Sequence, residues 1–142
     1  MLRIFLLLIC FSVFLNSCLF SSDEQVASKQ IIKDFYLEDH SLIQKVKEAN
    51  TGGIIVDANR GIINSIGWNK NYILIQQNLN SDNGPQETTW YIIDLRNYIP
   101  STWDKTENLH KCSSLQKFDS KRKALGVPDS IELVIADISS LK

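Results

Sequence analysis

Histidine is nearly missing from this chain, with two among 142 residues. Cysteine is scarce as well, with three, and no CxxC, HxxxH or HExxH spacing gathers them. Neither a four-ligand structural zinc site nor a three-ligand catalytic one is written in the sequence. An excess of one charge is also lacking: the formal net charge is −1, which leaves no basic footprint for nucleic acid or for an acidic surface. Six glycines include the pair Gly52-Gly53, but no Gly-Lys-Ser follows to make a phosphate loop. No GxSxG elbow marks a serine nucleophile. The longest apolar run, Ile4 to Leu15 with Ser12 inside it, falls short of the roughly 20 residues that a helix needs to span a bilayer. The sequence therefore predicts no metal, no cofactor, no nucleic-acid partner and no membrane-spanning helix.

What the run does have is the layout of an export signal, with a charged start at Arg3 followed by an apolar stretch. It closes on LNSC, Leu15 to Cys18, which resembles the bacterial lipobox: an aliphatic residue, a tolerant position, a small residue, then cysteine. The resemblance implies that the Cys18 thiol takes a diacylglycerol, that residues 1–17 are removed, and that the new amino terminus is open to acylation with a fatty acid such as palmitate. Only a thiol joins the lipid as a thioether. Two or more acyl chains make membrane anchoring stable, at about 0.8 kcal/mol per buried methylene. The blander alternative leaves Cys18 at the end of a plain signal peptide or an uncleaved anchor. On the lipobox reading, residues 18–30 are the lipidated cysteine and a polar tether, and 31–142 are a single globular domain. Loss of Arg3 leaves 14 basic and 16 acidic side chains. Cys10 departs, Cys18 is consumed, and Cys112 remains without an intrachain partner, so a buried thiol is expected there.

From Ile31 onward short β-branched and aromatic runs alternate with turn formers. IIKDFYL, GIIVDA from Gly53, GIINSIGW from Gly61, YILIQQ from Tyr72 and TTWYIID from Thr88 read as strands. DANRG and WNKN are tight turns and NLNSDNGPQE a longer loop. Residues 41–50 fit either a capped helix or a strand paired with 31–37, and the strand is preferred. One helix is plain: Ser114 caps it, Leu115, Phe118, Arg122 and Leu125 share a face, Lys121 to Lys123 suit its carbonyl end, and Gly126 with Pro128 stops it. IELVIADI, residues 131–138, follows as a last strand. Short connections imply antiparallel neighbours. The predicted fold is α+β, a mostly antiparallel meander of about five to seven strands with one helix of the C-terminal half packed on it.

Side chains able to do chemistry are scattered. His110 and Cys112 would share a face of an extended segment, and His40 stands far from them in sequence. Asp57, Asp94 and Asp137 end apolar runs, where a carboxylate pair would serve glycoside hydrolysis but where aspartate more often builds a turn. Trp68 and Trp90 fall inside strand patterns and are expected in the core. Trp103, in PSTWD, sits in a loop, where an aromatic either packs beneath the chain or offers a contact for a partner or ligand.

The order IGWNKNYILIQQ, TWYIID and KFDSKRKALGVPDSIEL resembles a family of small bacterial lipoproteins of uncharacterised function. Its members carry a "g-n-yIi-q" strand, a "yyIID" strand and an "F-x-x-kRkeLgvp" helix end. The match covers about residues 31–133 and departs before the helix, where Lys111-Cys112-Ser113-Ser114-Leu115 stands in place of a Gly-Pro-Leu step. The resemblance implies a lipoprotein and this strand order, and it brings no catalytic residues.

The expected function is a membrane-anchored, non-catalytic interaction or accessory domain at the cell envelope. Its lipid on Cys18 would hold it to the outer membrane or periplasmic face, or display it at the cell surface; Asp23-Glu24 reads as part of the solvated linker, with a surface-export signal as the alternative. An envelope protein is the candidate partner, with Trp103 as a candidate contact for a partner or ligand if it is not packed beneath its loop. A small hydrolase or ligand-binding enzyme using His110 or Asp94, or a lipid-anchored inhibitor or immunity protein, are the alternatives.

Overall fold

The computed structural model describes residues 27–46, 51–79 and 87–137. The LNSC segment with Cys18, and Asp23-Glu24, lie outside the described residues. Among the described residues the fold is α+β, with nine strands in two antiparallel sheets and one main helix in the C-terminal half. The strand count exceeds the five to seven expected, for reasons visible in the turns.

Sheet A runs in sequence order: β1 (Ser28–Ile32), β2 (Phe35–Glu38), β3 (Ser41–Val46) and β4 (Thr51–Val56). The run IIKDFYL is two strands rather than one, because Lys33 takes a left-handed conformation at φ 50° and folds β1 back on β2. Asp39 and His40 then adopt φ 41° and 59°. Positive φ at both central residues makes a two-residue hairpin whose twist matches its strands. The preferred strand reading of the ambiguous segment holds for residues 41–46. Alternation along β2 sends Phe35 and Leu37 inward and leaves Tyr36 and Glu38 half-buried.

Asp57 ends β4 by accepting a hydrogen bond from the Asn59 N–H, and a single 3-10 turn, Ala58–Arg60, carries the chain into the second sheet. Sheet B has the order β8-β7-β6-β5-β9, with β5 Gly61–Trp68, β6 Tyr72–Leu79, β7 Thr88–Asp94, β8 Leu109–Cys112 and β9 Val134–Ile135. A four-residue helix, α1 (Lys105–Asn108), precedes β8, and α2 (Leu115–Leu125) follows it. The last strand is shorter than the 131–138 run suggested: only Val134 and Ile135 pair with β5.

Sheet B is buried on both faces, which explains why YILI at the start of β6 has no polar side. One face turns Ile73, Ile75, Tyr91 and Ile93 toward Phe35, Leu37 and Leu42 of sheet A. The other turns Tyr72, Leu74, Ile92 and Cys112 toward Phe118 of α2 and toward Val127 and Ile131 behind it. The result is three layers, sheet A, sheet B and helix, with two apolar seams.

The helix ends as its sequence foretells. Ser114 Oγ accepts from the Lys117 N–H, while Gly126 at φ 70° closes a Schellman motif through Val127 N–H to the Arg122 carbonyl at 2.9 Å. Leu115, expected on the inner face, is exposed. It is the first residue of the helix.

Candidate functional site

The chain leaving β7 crosses one end of the two sheets. Asp94 accepts from both the backbone and the guanidinium of Arg96, and Leu95, fully buried, pins the crossing. Lys33 Nζ donates to the Leu95 carbonyl at 2.9 Å from sheet A. The loop then turns on hydrogen bonds from Thr102 and Trp103 N–H to the Ile99 carbonyl. This delivers Tyr98 and Trp103 onto Phe35, with ring centroids 5.4 and 5.5 Å from it. Tyr98 Oη donates to Asp34 Oδ2 at 2.8 Å and accepts from Gln44 Nε2 at 2.9 Å. Burial, with the neighbouring Asp34 charge in support, pushes the Tyr98 phenol up to about 12. Trp103 is therefore half in the core, its indole N–H reaching the Asp94 carbonyl at 3.3 Å, and half at the surface.

That half-buried indole lines a groove. A cavity of about 280 Å³ lies between Trp103 and Pro100 on one side and Gly52, Gly53 and Ile54 of β4 on the other. A second, of about 320 Å³, continues past Ile54 to Arg60, Tyr91, Lys105 and Lys111. Ile54, Ile55 and Lys105 border both. β4 is the last strand of sheet A and β8 the last of sheet B, so the groove runs between two sheet edges. Its floor is rigid. Tyr91 Oη donates to Gln77 Oε1 at 3.0 Å, and Gln77 Nε2 donates to the carbonyls of Asp57 and Gly61 at 2.8 Å. Burial raises the Tyr91 phenol, and the Arg60 charge opposes that rise. A cation at the groove is thus felt by its floor.

The other flagged residues fall elsewhere. His110 and Cys112 do share a face of β8, turned toward α2. Burial pushes the His110 imidazole down, helped by Lys121, and pushes the Cys112 thiol up. A low imidazole basicity and a high thiol pKa do not make an activated nucleophile. Asp57 serves the 3-10 turn and Asp94 the β7 exit, where, against burial, its bonds to Arg96 hold the carboxyl below its ordinary value. The two are turn formers, and Asp137 closes the last described segment. His40 occupies the β2–β3 hairpin. Trp68 packs against the sheet-to-sheet seam and Trp90 against the helix seam, both partly buried. Among the described residues no three His, Cys, Asp or Glu side chains gather where they could hold a metal ion, and no helix is long and apolar enough to cross a membrane.

The sequence offers Trp103 either as a residue packed beneath its loop or as a contact, and the structure packs it on Phe35 at the mouth of the groove. The sequence does not single out Arg60, Lys105 and Lys111. They sit on three different elements, the 3-10 turn, α1 and β8, and meet only because the two sheet edges converge. The one local signal was Gly52-Gly53 inside a strand pattern, a mark of close backbone approach. A Cβ at Gly52 would lie 2.2 Å from the Gln44 carbonyl.

Residues 29–139 match a family described as a protein of unknown function, DUF3997. No curated protein and no solved structure matches the chain.

Proposed function

We propose, from the premise that this chain belongs to the DUF3997 family of unknown function, that it is a lipid-anchored bacterial lipoprotein whose domain binds a protein partner at the cell envelope without catalysing a reaction. The observation that carries the binding half is the groove beside Trp103, bordered by the edge of β4. A half-buried tryptophan held by Phe35 and Tyr98 gives a partner a large, rigid apolar contact at little entropic cost, the character of an interface anchor. The anchoring half rests on LNSC and on reach. β1 opens at Ser28, ten residues beyond Cys18, so at about 3.5 Å per residue the domain stays within about 35 Å of the bilayer.

Intact mass and membrane fractionation test the anchor. Lipid on Cys18, with release from the membrane in Cys18→Ala, is expected; an unmodified Cys18 in a chain that still fractionates with the membrane overturns it. A photo-crosslinking residue at position 54, in cells, tests the binding face. One envelope protein should be captured there, and capture should fall at least several-fold when Trp103 is replaced by Ala. Capture unchanged by Trp103→Ala would remove the groove as the binding face.

A further inference from the structure

We infer that the groove takes an extended, acidic segment of the partner, which adds a strand to the edge of β4. The inference rests on the reading of the chain as an interaction domain and names what that domain recognises. Sheet A ends at β4 among the described strands, and the groove follows it. The Ile54 carbonyl points away from β3, since Lys105 Nζ reaches it from outside the sheet at 2.9 Å. An edge carbonyl held by a lysine is a protected edge, and the protection is reversible. A carboxylate on an incoming strand would draw the ammonium aside and free the carbonyl for a backbone N–H.

The neighbours suit that occupant. A Cβ at Gly53 would meet open space, so the face of β4 at that glycine is uncovered among the described residues. Ile54 is 52% exposed and offers an apolar contact. Arg60, Lys105 and Lys111 line the groove, while the one lining carboxylate among the described residues, Asp57, accepts from the Asn59 N–H. An extended segment carrying both acidic and apolar side chains would bring carboxylates within reach of the three cations and an apolar residue against Ile54 or Trp103. A second copy of this chain would instead bring the same three cations against their equivalents, which disfavours self-pairing at this edge.

The full chain in detergent is titrated with a labelled ten-residue peptide of alternating Glu and Val, with its Lys/Val counterpart, and with inorganic phosphate. The Glu/Val peptide should bind, more weakly as salt rises, and should slow hydrogen exchange at the amides of residues 53–56. Lys105→Glu with Lys111→Glu should weaken it at least tenfold and let the Lys/Val peptide bind in its place. Equal affinity after charge reversal, or exchange slowed elsewhere than β4, overturns the inference. So does phosphate that displaces the peptide fully and leaves β4 exchange unchanged, which would mark a site for small anions. If the peptide fails while crosslinking from position 54 still depends on Trp103, the strand inference falls and the interaction domain stands. If crosslinking fails as well, both fall.

Discussion

Tyr98 concentrates more of this protein's local physics than any other side chain at the loop end of the sheets. It touches Phe35 and Trp103, bonds to Asp34 and Gln44, and lies under the Lys33 ammonium at 5.1 Å. Its phenol, raised from the ordinary 10 to about 12 by burial and by Asp34, links stability to alkaline pH. Below pH 10 the phenol is protonated whether the chain is folded or not, and its contribution is fully present. Between 10 and 12 the unfolded chain releases the proton first, so stability falls as pH rises through that window. Tyr98→Phe should cost about 1–3 kcal/mol at neutral pH for the two lost hydrogen bonds. It should also lose less stability than the parent from pH 10 to 12, as urea titrations at each pH would show. Parallel pH curves would mean that Tyr98 titrates normally. At this scale the sequence is half informative. An aromatic in a Pro-Ser-Thr-Trp-Asp loop is visible, whereas its seat on Phe35, 68 positions away, depends on how two sheets meet.

At the scale of elements, the clearest sequence signals are those whose physics is local. Ser114, Gly126 and Pro128 mark the ends of α2 because orphan N–H and C=O groups must be satisfied within a few residues. Ser114→Ala should cost about 1 kcal/mol through the lost bond to Lys117 N–H. Gly126→Ala should cost about 1 kcal/mol through a Cβ at φ 70°. Both are measured by urea unfolding, and no loss in either would mean that α2 contributes little to the folded state. The hairpins were harder to see because neither uses glycine. Lys33 and Asp39-His40 take positive φ only because the pairing of β1, β2 and β3 holds them there, so IIKDFYL reads as one strand until its partners are known. β8 and β9 are short edge strands whose pairing is tertiary, and no periodicity announces four or two residues.

Among the described residues the molecule is organised by sheet B, which packs on both other layers. Sheet A has one inner face, and four strands with one seam need that seam covered to be stable. The helix likewise contributes one fully buried side chain, Phe118. Neither outer layer has a core of its own, because both seams are completed by β6 and β7. The class α+β was legible from the order of runs and turns, yet the division into two stacked sheets was not, since the switch at Asp57 to Gly61 looks in sequence like another hairpin turn. This layering predicts cooperative unfolding. Phe35 in the first seam and Phe118 in the second are 0% and 1% exposed, and replacing either by Ala should cost about 3–5 kcal/mol. In both variants tryptophan fluorescence and far-UV circular dichroism should give coincident transitions at a lower urea midpoint with the slope unchanged. Coincidence follows because sheet B cannot keep one seam packed while β6 and β7 come apart in the other. If Phe118→Ala instead produced an early partial transition that left the Phe35 seam intact, α2 would be a separately opening layer. The basic groove between β4 and β8 would then have one mobile wall instead of two fixed ones.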